Sequence, residues 1–210
     1  MHMNTLNIKY WGHACFSVEY RDYTVVFDPY APDSVPGLRL LALNANAVFC
    51  SHAHSDHSWI QAVRTAGGNS PFTVDTISCP HDDAGGSKRG MNTIHILRCP
   101  DFALAHMGDI GCPLPTESLE KLRGLDVLFI PVGGYYTINA GQANDLADRI
   151  GSRIVIPMHY RTAASGYDVT ETVDRFAALR SYVCYRESTL SLSPSPAPCT
   201  VILRQAILSR

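Results

Sequence analysis

Residues 52–57 read His-Ala-His-Ser-Asp-His and put four strong metal donors into six positions. The preceding Ala47-Val48-Phe49-Cys50 is an apolar run of the kind that forms a buried strand. The cluster therefore begins where a strand is expected to end, the place where α/β proteins usually carry their sites. Imidazole nitrogen and carboxylate oxygen suit zinc, iron or manganese. Four donors this close in sequence cannot all reach one ion with regular geometry. An extended His52–Ala53–His54 segment would point both rings one way, because side chains alternate along a strand. Asp56 and His57 follow at the turn and can reach a second ion. The plainer alternative is a His-rich surface loop. The position between a strand pattern and a helix pattern argues against it.

Three further segments carry a histidine or an aspartate. His81 lies in Cys79-Pro80-His81-Asp82-Asp83, ahead of Gly85-Gly86. Asp109 lies in His106-Met107-Gly108-Asp109, after the strand-like Phe102-Ala103-Leu104-Ala105. His159 closes Val155-Ile156-Pro157-Met158-His159.

In this order, the segments resemble the metallo-β-lactamase superfamily. The resemblance runs from Trp11-Gly12-His13 to His159. Trp11-Gly12-His13-Ala14, Phe27-Asp28-Pro29, Pro131-Val132-Gly133-Gly134 and Pro157-Met158-His159-Tyr160 look like the metal-dependent hydrolase branch that includes L-ascorbate 6-phosphate lactonase-like proteins. The fold this implies is an α/β four-layer αββα sandwich. The site it implies holds two divalent metal ions, zinc first, with manganese or iron open. His52, His54 and His81 would hold one ion. Asp56, His57 and His159 would hold the other, with Asp109 bridging. The activity implied is a metal-dependent hydrolase, in which a metal-activated hydroxide attacks a small ester, lactone or phosphodiester. Asp56 or Asp109 would orient that water. A metal-dependent oxidoreductase of the same fold, or a non-catalytic metal-binding relative, stays open as the alternative. His13 and Asp28 match motifs near the site. They fit a role orienting a metal-bound histidine, or equally a fold-stabilising turn.

No competing catalytic set is present: the chain has no G-x-S-x-G, G-x-x-x-x-G-K-[ST], G-x-G-x-x-G or H-E-x-x-H. Cys50 reads as a buried structural thiol. His106 reads as a satisfied core histidine and His95 as structural. Lys88-Arg89, Tyr135-Tyr136 and Tyr160-Arg161 lie just beyond matched motifs. Arg89, Tyr136 and Arg161 are the candidates for binding substrate, the arginines by pairing with an anionic group. Solvated surface charge is the competing reading.

A chain of 210 residues, 46% hydrophobic, can bury a full core and reads as one domain over 1–210. A net charge of −2 leaves no footprint for bulk nucleic-acid binding. The expected partner is a small-molecule substrate. Homo-oligomer formation is left open. No long apolar segment opens the chain, so neither a signal peptide nor a membrane span is expected. The seven cysteines are odd in number, scattered and without C-x-x-C, which fits a reducing, cytoplasmic setting better than a disulfide framework.

Local patterns give the organisation. Leu6–Tyr10, Phe16–Tyr20 and Tyr23–Phe27 read as a meander of strands with a turn at Arg21-Asp22. Residues 31–46, with Pro32, Pro36 and Gly37, read as loop. Trp59, Ile60 and Val63 keep helical spacing up to Gly67-Gly68. Residues 70–112 alternate short strands with turns. Asn139 and Gln142 form a capping pair for a helix faced by Ala143, Leu146, Ala147 and Ile150. Thr170 is the expected cap of another, buried through Val173, Phe176 and Ala177. Residues 188–193 and 199–203 read as closing strands.

Overall fold

The computed structural model describes residues 4–206. Met1–Met3, where the expected absence of a leader was partly read, lie outside the described residues. The N-terminal meander forms as the alternation predicts. Strands β1 (Leu6–Gly12), β2 (Cys15–Tyr20) and β3 (Tyr23–Phe27) pair antiparallel. Strand β4 (Leu43–Ala45) lies apart, and β5 (Ala47–Phe49) adds to β3 in parallel. After the His cluster come a single 3-10 turn at Ile60–Ala62 and β6 (Val63–Thr65), which pairs with β4. Next are β7 (Thr73–Pro80), β8 (Met91–Arg98), β9 (Ala103–His106), α1 (Thr116–Lys121) and β10 (Val127–Pro131). The chain continues through α2 (Ala140–Ile150), β11 (Ile154–Met158), α3 (Asp174–Ala177), β12 (Val183–Arg186), β13 (Thr189–Leu192) and β14 (Cys199–Leu203).

Two sheets result. One has the order β13-β1-β2-β3-β5, the other β12-β14-β11-β10-β9-β8-β7. Their facing surfaces close on Phe16, Phe27, Leu104, Phe129, Ile156 and Met158, all fully buried. The Phe16 and Phe129 rings sit 4.5 Å apart across the interface. Every residue of β10 and β11 is buried. Unbroken apolar runs are what parallel strands covered on both faces require.

Helix α2 covers the larger sheet with Ala143, Leu146, Ala147 and Ile150, the face read from the sequence. Its start is the expected capping box. The Asn139 side chain accepts from the Gln142 amide at 3.0 Å, and the Gln142 side chain accepts from the Asn139 amide at 3.0 Å. The outer face of the smaller sheet is covered differently, by Tyr30, by Val35 and Leu41 from the 31–46 segment and by the β4–β6 pair. The sandwich is thus α/β with two central sheets, and this outer layer is built mainly from loop.

Three local expectations are corrected. The helix expected from Trp59 does not form beyond one 3-10 turn. Ile60 is 55% exposed, so an amphipathic helix there would have no buried face to stabilise it. Val63–Thr65 pairs with β4 instead, which also makes part of the 31–46 segment a strand. Thr170 does not cap a helix. Its amide and hydroxyl both donate to the Tyr167 carbonyl, closing a turn, and α3 starts after Val173. Phe176 is nonetheless fully buried, as its spacing indicated. His52–His54 is bent, not extended. Among the described residues no helix is long and apolar enough to cross a membrane.

The capping box yields a stability test. Asn139→Ala leaves the Gln142 amide without its acceptor and should cost about 1 kcal/mol, lowering Tm by roughly 2–4 °C for a chain of this size. Thermal unfolding followed by circular dichroism measures it; an unchanged Tm would mean the cap does not contribute.

Candidate metal centre

The donors collect where strands end. His13 lies in the β1–β2 turn, Asp28 just after β3, and residues 51–57 just after β5. From the other sheet come His81 after β7, Asp109 after β9 and His159 after β11. His13, Asp28 and His159 all have left-handed backbones, with φ of 56°, 43° and 54°. Such conformations are uncommon for residues with a side chain and persist only where surrounding contacts enforce them. Those contacts are visible. The His159 amide donates to the His13 carbonyl at 3.0 Å, and the Asp28 amide donates to the Phe49 carbonyl at 3.0 Å.

Asp28 is fully buried and organises the cluster from below. It accepts from the Ser51 amide at 2.7 Å, the Ser51 hydroxyl at 2.6 Å and His57 Nδ1 at 2.7 Å. Burial works against its charge, but the His106 and His57 imidazoles and these hydrogen bonds hold its carboxyl below the usual range. An ionised carboxylate can only accept. The Ser51 hydroxyl must therefore donate to it, and so must accept from His52 Nδ1, 2.9 Å away. Both His52 and His57 are then tautomers with Nδ1–H, and each turns Nε2 toward the centre. Outer partners of this kind are how proteins orient metal-binding imidazoles.

Asp109 completes the centre. Its Oδ2 lies 3.2 Å from His57 Nε2, 3.4 Å from His81 Nε2, 3.1 Å from His159 Nε2 and 4.0 Å from His52 Nε2. Its amide donates to Asn92 Oδ1 at 2.8 Å, and Asn92 Nδ2 donates to the Met107 carbonyl at 2.9 Å. Gly108 is required beside it. At φ +54°, a Cβ there would sit 2.2 Å from Asn92 Oδ1 and 2.4 Å from Ser51 Cβ.

Three overlapping groups have donor atoms within 4.8 Å of one another: His52, His54 and His81; His13, Asp56, His57 and His159; and His52, His57 and Asp109. The first two are the two sets drawn from the sequence, and the third joins them through Asp109. His13 is an addition. The sequence placed it behind the donors, whereas its Nε2 lies 3.2 Å from Asp56 Oδ2 within the second group. His52 Nε2, His57 Nε2 and Asp109 Oδ1 are buried without a hydrogen-bond partner among the described residues. Buried polar atoms without partners are costly. Lone pairs that converge on a carboxylate need a positive charge between them, so the donor set fits metal ions. Burial and the neighbouring His57 push the His52 imidazole down to about 3, which keeps it neutral and able to ligate. Burial opposes charge on His57 as well, but Asp109 and Asp28 on its two sides hold its pKa well above the ordinary value.

Sequence reading missed several supports. Tyr167 donates from its hydroxyl to the Ser34 carbonyl at 2.7 Å and lies 3.1 Å from Asp56 Oδ2. No motif marks it. Ser51 carries a weak signal, a hydroxyl directly between an apolar run and the His cluster, and Asn92 carries none. A cavity of about 370 Å³ opens onto the donors, walled by Arg89, Tyr136 and Tyr167. Arg161 is not part of it: its Nε donates to the Thr170 carbonyl at 2.7 Å, and its backbone is bound to Glu171. A larger, mainly apolar cavity of about 560 Å³ lies beyond His13, between Tyr10 and Tyr160, away from the other donors. His106 and His95 behave as read, donating to the Ala14 carbonyl at 2.9 Å and the Cys50 carbonyl at 3.1 Å.

The beta-lactamase superfamily domain matches residues 7–159. The chain belongs to the metallo-β-lactamase superfamily. The superfamily protein of known structure from Thermotoga maritima is 26% identical, with a TM-score of 0.74 over 94% of this chain and 98% of that one. A metallo hydrolase from Ignicoccus hospitalis shares the fold at 20% identity and a TM-score of 0.64, over 90% of this chain and 99% of that one. Among sequence relatives, a protein of Methanoculleus marisnigri named as a metal-dependent hydrolase is 25% identical over 91% of this chain and 99% of its own.

Ser51→Ala tests the superfamily site as assembled here. It cuts the link from His52 Nδ1 to Asp28 without crowding. Metal affinity should fall about tenfold or more, since outer partners of ligating histidines are commonly worth 10–100-fold. Competition with a chromogenic chelator gives the value, and wild-type affinity would remove Ser51 from that role.

Proposed function

We propose that this chain is a metal-dependent hydrolase that binds two divalent ions, most naturally zinc, and acts on a small ester, lactone or phosphodiester. The observation that carries the reading is the position of Asp109 Oδ2, within 4.0 Å of four imidazoles drawn from both donor groups. Relatives named as metal-dependent hydrolases support the reaction class. When bound, such ions activate a water molecule near neutral pH and polarise the oxygen of the bond under attack.

The chain's own residues supply the rest. Asp109 is the bridging candidate. Burial opposes its ionisation, but the His159 and His57 imidazoles hold its carboxyl well below the ordinary value, so it enters as a carboxylate. Asp56 is held at Oδ2 by His13 and Tyr167. Fixed in this way, it is the candidate to accept a proton from the attacking water. The buried His57 and His159 rings exclude bulk solvent from one side. The cavity of about 370 Å³ fits a small substrate. Nitrogen and oxygen donors alone leave manganese and iron chemically acceptable. Both donor groups arise between His13 and His159, which supports reading 1–210 as one domain.

Asp109→Ala should lose most bound metal and reduce hydrolysis by at least two orders of magnitude, while Asp145→Ala, exposed on α2, should change neither. Elemental analysis and a panel of lactones, phosphodiesters and thioesters, run with Zn²⁺ and with Mn²⁺, read both effects. Full metal content in Asp109→Ala would remove the bridging role, and no turnover on any member would remove the hydrolase.

A further inference from the structure

The loop after His81 is a closed ring built around one carboxylate. Asp82 is 1% exposed. Its Oδ1 accepts from the amides of Ala84 at 2.8 Å and Gly86 at 2.9 Å. Its Oδ2 accepts from the amides of Lys88 at 2.9 Å and Arg89 at 2.8 Å. The ring is shut by the His81 amide on the Gly90 carbonyl at 3.0 Å and the Gly90 amide on the Gly86 carbonyl at 2.9 Å. Gly86 permits this closure: at φ +87°, a Cβ would meet the Gly90 carbonyl at 2.9 Å. Four amide donors on one carboxylate are far more than a surface turn needs.

What the ring presents is Arg89. Its guanidinium lies 5.4 Å over the Tyr136 ring. Tyr136 packs edge-on against Tyr167 at 5.5 Å, and the Tyr167 hydroxyl reaches Asp56. The wall from Arg89 to the donors is therefore continuous. Among the described residues Arg89 has no carboxylate partner, whereas its neighbour Lys88 pairs with Asp83 at 2.7 Å. With Arg161 tied elsewhere, Arg89 is the one lysine or arginine among the described residues that lines this cavity. A guanidinium stacked on an aromatic face keeps the N–H groups of its edge free for a planar, bidentate oxyanion.

We infer that residues 82–90 are the selectivity element of the site, in which Asp82 is a positioning residue that holds Arg89 on Tyr136 to bind an oxyanion of the substrate. The inference deepens the hydrolase reading and rests on it for the word substrate. The ligand chemistry is an oxyanion, either phosphate or carboxylate.

The test uses metal-loaded protein and two probes, inorganic phosphate and acetate, titrated by calorimetry. Wild type should bind at least one, and the tighter probe names the anion class. Arg89→Ala and Asp82→Ala should each weaken that binding about tenfold or more, with metal content unchanged. The double variant should be little worse than either single one, because the two residues act as a unit. Asp82→Asn keeps one acceptor oxygen but turns an NH2 group toward two amide donors, so it should weaken binding about as much as Asp82→Ala. On the turnover side, the variants should raise KM for an anionic ester and spare kcat and a neutral analogue. Wild-type anion binding in Arg89→Ala, binding of neither probe by wild type, or equal loss on both esters would overturn the inference. Should Asp82→Ala fail to fold, Arg89→Ala and Asp82→Asn decide the matter by the same readouts. Anion binding that depends on Arg89 in a protein without turnover would sink the hydrolase reading alone; turnover with anion binding indifferent to Arg89 would sink this one alone.

Discussion

A single buried carboxylate sets the state of the centre. Asp28 sits at the bottom of the cluster, fully buried, and its charge is made tolerable by the nearby His106 imidazole and by hydrogen bonds from the Ser51 amide and hydroxyl and the His57 imidazole. The same bonds decide which nitrogens of His52 and His57 carry hydrogen. A residue that never needs to touch a metal thereby determines which atoms can. Replacing it by a neutral residue would do more than delete a charge, since both imidazoles would lose their assigned tautomer at once.

The backbone pays a related cost in strain. Three residues with side chains, His13, Asp28 and His159, occupy left-handed conformations at the ends of their segments. Each would relax if freed. The inter-sheet amide of His159 and the pairing of Asp28 with Phe49 hold them. Gly108 shows the converse, a position where space and φ together leave no room for any side chain. Strain at three of the site's segments fits a preorganised site, because the surrounding core supplies the stability that the site itself lacks.

Much of this could be read from the residues. The candidate donors of the 52–57 cluster, and Asp109 and His159, stand at strand ends that apolar runs reveal, His81 follows an alternating strand, and the capping pair at Asn139 and Gln142 is local chemistry. What could not be read depends on tertiary context. Trp59–Val63 has helical spacing, but spacing cannot show that Ile60 faces solvent or that Val63 has a partner strand. Thr170 is a good cap in isolation and lost that role to a turn closed on Tyr167. Arg161 and Arg89 look alike in sequence, each just past a donor. Only the fold separates the arginine tied to a carbonyl from the one facing the cavity. His13 and Tyr167 reach Asp56 across 43 and 111 residues of chain, and no local pattern encodes such a contact.

The donors are divided between the two sheets. His13 and the donors of residues 52–57 hang from the smaller, while His81, Asp109 and His159 hang from the larger. Any cation gripped by both halves is therefore also a rivet through the sandwich. Prying the layers apart would require releasing it, so occupancy and mechanical integrity become one quantity. By mass action the folded form gains RT ln(1 + [M]/Kd), about 4.1 kcal/mol when free metal exceeds the dissociation constant a thousandfold. A chelator would then act on this chain as a mild denaturant, loosening the clasp end of the sandwich first and leaving the helix-covered face of the larger sheet for last.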